Sequence, residues 1–362
     1  MGRSRRGRFS QGRCAAAGGE RRCGPGSRTG ARVWPIGSDH PAGGDHQDCP
    51  AGGGPDGRAL VMIAPSPSHW QLRTQRLAVP QPGGGGRPLV MGIVNVTPDS
   101  FSDGGRHDSV EAAIEHGLQL AAEGADILDV GGESTRPFSD PVDAAEELRR
   151  IEPVVAGLVE RSGLPVSIDT SKAVVAERAV ALGAEIINDV TGLEGDSRML
   201  EIAVASGAGV CCMHMQGTPQ TMQVDPRYDD VVAEIHGYLA DRREALLAAG
   251  IPLAKICLDP GIGFGKTHEH NLELIRRAEA FLDLGVPILV GHSRKGFIGK
   301  AIRTAMEIDA APPEQDLIWR DGGTAGIGCS LAVAGVQVLR VHAVGLVRAA
   351  VELFLTCQQR PA

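Results

Sequence analysis

The chain has 362 residues, of which 42 % are apolar and only 3 % aromatic, and its formal net charge is −8. That length holds one large domain or two ordinary ones, with a core built mainly from Val, Ile, Leu and Ala. No apolar run approaches the ~20 residues of a membrane span, and the eight cysteines contain no Cys-x-x-Cys pair. A membrane protein and a structural zinc domain are therefore excluded, and reduced thiols in a cytoplasmic protein are the expectation.

In chain order, residues 1–61 carry ten Arg, no Lys and five acidic residues, so this Gly-rich stretch is net +5 and the rest of the chain −13. It shows no apolar periodicity and reads as a disordered or non-native leader. Its basic start is followed by no apolar segment, which argues against a secretory signal. Charge without interleaved aromatics gives no reason to expect a nucleic-acid partner. A more protein-like stretch begins at Met62, and residues 62–88 read as a short hairpin segment with "QPGGGGRPL" as its turn.

From Leu89 to the C-terminus one unit repeats, an apolar β run followed by a helical pattern. The strands read "LVMGIVNV", "DILDVGG", "PVSIDT", "EIINDV", "GVCCMHM", "KICLDPG", "PILVGHS" and "VQVLRVH". Helical patterns cover residues 109–124, 143–163, 172–183, 229–250 and 346–355. Near-continuous apolar strands alternating with amphipathic helices predict a parallel sheet covered on its outer face. Eight units over residues 89–362 predict an α/β fold, a (β/α)8 TIM barrel. A doubly wound sheet fits less well, because no G-x-G-x-x-G follows the first strand.

The strands end in polar side chains: Asn95, Asp129, Asp169, Asn188, His214, Asp259, His292 and His342. In a barrel these ends share one mouth, where a polar ligand would satisfy groups that are costly to bury alone. "DPGIGFGKT" (259–267) imitates a phosphate-binding loop, but Pro260 stands where that loop needs its first glycine. Proline has no N–H to give a phosphate.

Seven segments carry a resemblance: "MGIVNVTPDSFSDGG" (91–105), "GGESTRP" (131–137), "SIDT" (167–170), "INDV" (187–190), "DPGIGFGK" (259–266), "SRK" (293–295) and "RVH" (340–342). Together and in this order they resemble dihydropteroate synthase. The resemblance implies condensation of 6-hydroxymethyl-7,8-dihydropterin pyrophosphate with 4-aminobenzoate to 7,8-dihydropteroate, with pyrophosphate released. It also implies a homodimer and Mg2+ as cofactor, with Asn95 as the metal ligand.

For the pterin, the resemblance implies Asp259 and Asn188 at the donor edge, Asp169 beside the ring, Lys295 on the carbonyl side, and Met213 and Phe264 as packing surfaces. A carboxylate accepts paired donors well, which suits Asp259 to that edge. For the pyrophosphate it implies Arg340 and His342, two apart on one strand and so on one face, together with Asn95 and Thr135. For the aminobenzoate it implies Phe101, Thr135, Pro137, Ser293 and Arg294. The catalytic group would be Asp169, Lys295, Arg340 and His342.

Three features depart from the family pattern: Phe138 where Gly usually follows "STRP", Ala343 where an acidic residue usually follows "RVH", and a long connector at 304–323. Two other readings share part of the site. A pterin-binding methyltransferase-type barrel needs neither "NVTPDSFSDGG" nor a pyrophosphate site. A non-catalytic folate-binding paralogue would keep Asp259 and Asn188 without turnover. Because Pro260 removes a phosphate donor, Mg-ATP is expected to show no micromolar binding by calorimetry, and such binding would restore the phosphate-loop reading.

Overall fold

A computed structural model describes residues 68–81, 86–96, 106–135 and 139–358. The leader, Phe101, Pro137 and Phe138 lie outside the described residues. A two-stranded antiparallel hairpin comes first, β1 (His69–Gln71) against β2 (Arg76–Ala78), with Trp70 opposite Leu77. Its turn is Leu72–Gln75, closed by Leu72 N–H donating to Gln75 O at 2.8 Å. The glycine cluster is therefore not the hairpin turn; it follows β2, because the turn already closes four residues after Gln71 begins it.

Eight parallel strands follow: β3 (Leu89–Asn95), β4 (Ile127–Gly131), β5 (Val166–Asp169), β6 (Ile186–Asp189), β7 (Gly209–Met213), β8 (Ile256–Asp259), β9 (Leu289–Val290) and β10 (Val338–Val341). Their order is β8-β7-β6-β5-β4-β3-β10-β9, and a parallel bridge from Leu258 to Ile288 closes the ring. The (β/α)8 barrel is thus the observed fold. The helices α1 (Arg106–Ala122), α2 (Ala144–Arg161), α3 (Ala173–Ala181), α4 (Met199–Ser206), α5 (Val231–Ala248), α6 (His268–Arg276), α7 (Gly296–Met306), α8 (Pro313–Ala334) and α9 (Val344–Gln358) connect and surround the strands. The long connector is mostly helical: the end of α7, a short link and the first half of α8.

Strand alternation sorts the side chains into two cores. Outward residues such as Val90, Leu128, Ile168, Val210, Leu258 and Leu339 pack under the helices. Inward residues Leu89, Met91, Ile127, Ile186, Cys211, Cys257, Leu289 and Val338 form a separate cluster with Trp70, Leu72 and Val79 of the hairpin segment. The hairpin is therefore the plug of the barrel's N-terminal end. Trp70 is fully buried and its indole N–H donates to Lys255 O at 3.0 Å. Thr74 adds an anchor, its N–H and hydroxyl reaching the two oxygens of Glu185 at 2.8 and 2.5 Å.

Removing the plug's largest side chain leaves a cavity that the closed ring cannot collapse into. Trp70→Ala is expected to cost about 3–5 kcal/mol. The measurement is the urea unfolding midpoint at unchanged slope.

Candidate active site

Two residues beyond five of the inward apolar residues of the plug layer stands an inward residue of the mouth. Ile127 precedes Asp129, Ile186 precedes Asn188, Cys211 precedes Met213, Cys257 precedes Asp259 and Val338 precedes Arg340. Strand register sets them side by side: Gly131 opposite Asp169, Asp169 opposite Asn188, and Met213 opposite Asp259. Asp169, Asn188, Met213 and Asp259, four of the residues expected around the pterin, thus stand in one layer with Asp129 and Arg340 above an apolar floor.

Arg340 is the hub of that layer. Its Nε donates to Asp129 Oδ2 at 2.6 Å and its Nη2 to Asp169 Oδ2 at 2.5 Å. Asn188 Nδ2 donates to the same Asp129 oxygen at 3.2 Å. Among the described residues Nη1 of Arg340 has no partner, so one edge of the guanidinium is left for a ligand oxygen. Asp129 is fully buried. The sequence reading placed it at a strand end but gave it no role, although its spacing from Ile127 marked it as inward.

Burial pushes the Asp169 carboxyl up to about 7, opposed by Arg340 and reinforced by Asp129. Burial likewise raises Asp259, opposed by the Gly261 N–H that donates to its Oδ1 at 2.7 Å and by Lys295. Burial lowers Lys295 to about 7, with Asp259 acting in the opposite sense. Its ammonium donates to Ile262 O and stands 4.3 Å from the centre of the Phe264 ring. A Cβ added to Gly291 would lie 3.7 Å from Asp259 Oδ2 and 3.9 Å from Arg340 Cβ, so these two side chains flank the end of β9.

The turn after β8 can pass so close only because of its glycines. A Cβ on Gly261, at φ +70°, would stand 1.9 Å from His214 O; one on Gly263, at φ +85°, would meet Lys295 Cδ at 2.7 Å. Lys266 is buried rather than a solvated loop charge. Its ammonium contacts His214 Nδ1 at 3.1 Å and Phe264 O at 2.8 Å.

The remaining expected residues lie around this centre. Asn95 ends β3 half-buried, opposite Gly131, and Thr135 is half-buried in the loop after β4. Ser293 Oγ is 3.0 Å from His342 Nδ1 and accepts the His342 N–H at 3.1 Å, which fixes the imidazole next to Ala343 without a carboxylate there. Arg294 makes a two-pronged ion pair with Asp321 of α8 at 2.6 and 2.9 Å, so its charge is matched on the helix side. Two strand-end histidines serve the scaffold: His214 meets Lys266, and His292 Nε2 is 3.0 Å from Thr324 O.

A family model described as pterin binding enzyme matches residues 91–342. The dihydropteroate synthase of Neisseria meningitidis serogroup C is 45 % identical over 259 residues, 71 % of this chain and 88 % of that protein. The chain belongs to the dihydropteroate synthase family. The dihydropteroate synthase of Xanthomonas albilineans, solved with 4-aminobenzoic acid, superposes with a TM-score of 0.72 at 42 % identity, covering 81 % of this chain and 99 % of that one. The same enzyme in complex with 7,8-dihydropteroate gives a TM-score of 0.69 at 41 % identity, covering 81 % and 100 %.

The raised Asp169 carboxyl has a thermodynamic consequence. The folded chain holds this proton up to about pH 7, whereas a free aspartate loses it near 3.8. The folded state binds more protons across that window, so this group's contribution to stability falls as pH rises through it. Asp169→Asn is expected to flatten that fall, read as the difference between the two proteins' unfolding free energies from pH 4 to 7.5.

Proposed function

We propose that the chain condenses 6-hydroxymethyl-7,8-dihydropterin pyrophosphate with 4-aminobenzoate to 7,8-dihydropteroate. The observation that carries this reading is the joint placement of Asp259, Asn188, Asp169, Lys295 and Arg340 in one mouth. A bond forms between the aminobenzoate nitrogen and the pterin methylene carbon, the carbon–oxygen bond breaks, and pyrophosphate leaves with the electron pair. The amine gives up a proton to solvent.

In this reading Asp259 and Asn188 take the donor edge of the pterin, and Lys295 takes its carbonyl side. Met213 and Phe264 sandwich the ring. Asp169, when ionised, faces the positive charge that develops on the methylene as pyrophosphate departs. Arg340, through its open edge, and His342 with Thr135 receive the diphosphate. Ser293 takes the benzoate carboxylate near the start of α7, a suitable anion position, and Phe101 and Pro137 complete that pocket. Arg294 contributes less, because Asp321 already matches its charge.

Among the described residues no group of three or more His, Cys, Asp or Glu side chains could hold a resident metal. Mg2+ fits instead as the substrate's diphosphate complex, with the Asn95 side-chain oxygen added to phosphate and water oxygens, as this ion is commonly held. A homodimer is supported by apolar residues exposed on α8 and α9: Ile318 at 69 %, Leu353 at 67 % and Val333 at 62 %. A cytoplasmic setting agrees with the free thiols of Cys211, Cys212, Cys257, Cys329 and Cys357.

The test separates ring recognition from leaving-group binding. Asp259→Ala leaves pterin donors unmatched in a dry pocket and is expected to weaken a bare pterin analogue by about 1–3 kcal/mol. Arg340→Ala is expected to weaken pyrophosphate while leaving the analogue nearly unaffected, and to lower turnover. Titration of both variants with each ligand decides; equal loss of the analogue in both would remove Arg340 from the diphosphate site. A pyrophosphate-release assay with both substrates distinguishes this activity from methyl transfer and from mere folate binding.

A further inference from the structure

We propose that Lys172, with Glu133 and Glu147, is a positioning cluster that sets the aminobenzoate side of the site by holding the loop after β4; the proposal rests on the reading of Thr135 given above. Lys172 follows Asp169 by three residues and precedes α3. Its backbone is tied to the strand ends. The Lys172 N–H donates to Thr170 Oγ1 at 3.2 Å, and the Thr170 N–H donates to Asn188 O at 3.1 Å.

Its side chain reaches the other way. The ammonium donates to Glu133 Oε2 at 2.6 Å and to Glu147 Oε2 at 2.5 Å. Glu133 uses its second oxygen to accept the Val142 N–H at 2.9 Å. A single carboxylate therefore joins Glu133 to Lys172 and to the Val142 backbone, and Thr135 stands two residues from it in sequence. A further link, Ser139 Oγ to Ser134 O at 2.5 Å, ties the same two limbs.

Glu147 shows that this arrangement serves more than packing. It is fully buried on α2, and among the described residues its Oε1 has no hydrogen-bond partner. An apolar residue would cost less there, since burying a carboxylate is expensive even when paired. The helix is pressed hard against the loop's root: a Cβ on Gly132 would stand 2.7 Å from Ile151 Cγ2 and 3.0 Å from Glu147 Cγ. Arg150 of α2 also donates to Gly132 O at 2.9 Å. Lys172 thus joins the β5 end carrying Asp169 to the β4 loop carrying Thr135. The cluster keeps the two substrates' binding surfaces in register.

The experiment is steady-state kinetics of Glu133→Ala, Lys172→Met, Lys172→Arg and Thr135→Ala with both substrates, alongside thermal midpoints and titration with a bare pterin analogue. Glu133→Ala and Lys172→Met are expected to raise KM for 4-aminobenzoate about tenfold or more, since about 1 Å of misplacement can cost on the order of 100-fold, while the pterin analogue's Kd changes less than about twofold. Lys172→Arg is expected to restore most of the loss. Lys172→Met strands the buried Glu147 charge and could fail to fold; Glu133→Ala, at a half-exposed position, then carries the test. A Glu133→Ala protein with both parameters unchanged, or with both degraded in step with its thermal midpoint, overturns the proposal. A rise with Glu133→Ala but none with Thr135→Ala supports the cluster while removing Thr135 from the aminobenzoate site.

Discussion

The clamp of Arg340 on Asp129 and Asp169 organises this molecule. It joins β10 to β4 and β5, whose carboxylates lie 211 and 171 positions from Arg340 in sequence. Two carboxylates taken into a barrel interior carry a desolvation cost that an ion pair offsets only with good geometry. One guanidinium cannot neutralise both; burial raises the Asp169 carboxyl, Arg340 opposes the rise and Asp129 adds to it. An anion can approach the open edge of Arg340 without the clamp first breaking.

That polar layer is tolerable because of the layer beneath it. Leu89, Met91, Ile127, Ile186, Leu289 and Val338 fill the barrel interior, and Trp70 and Leu72 seal its far end. Stability and chemistry are thus separated along each strand by a single step of two residues. The floor is apolar and buried, so the charges above it interact in a low dielectric and gain strength from it. Loosening the hairpin plug would admit water beneath the clamp and weaken the site from below.

Much of this could be read from the sequence, for a definite reason. Strand ends and period two along a strand are local properties, so Asp259, Asn188 and Asp169 stood out at strand ends and Arg340 on the same face as His342. Pairing across strands is not local. Nothing near Arg340 in sequence reveals that its partners are Asp129 and Asp169, and nothing near Glu147 reveals Lys172. Strand-end position was also too blunt a signal. His214 and His292 satisfied it, yet both are held by scaffold groups, Lys266 and the Thr324 carbonyl. The glycine cluster before β3 misled in the same way. Glycines permit a turn, but the hairpin closes through the Leu72–Gln75 hydrogen bond, which requires none.

The stretch from Asp259 to Thr267 shows how one composition can serve two physical ends. In a phosphate loop the glycines free successive N–H groups to converge on an anion. Here the Gly261 N–H is taken by Asp259 itself, and the Gly263 N–H by Asn271 Oδ1 at 2.6 Å. The glycines are needed instead for closeness, letting the turn cross the ends of β7 and the Lys295 side chain. The lysine is not a phosphate ligand either. Burial lowers its pKa well below the usual value, with Asp259 opposing, and its ammonium is held by His214 and the Phe264 carbonyl. Lys266 therefore fixes the backbone that carries Phe264, and Phe264 in turn lies under the Lys295 ammonium. A loop built this way spends the Gly261 and Gly263 donors internally and holds a carboxylate, an aromatic face and a cation in fixed relation.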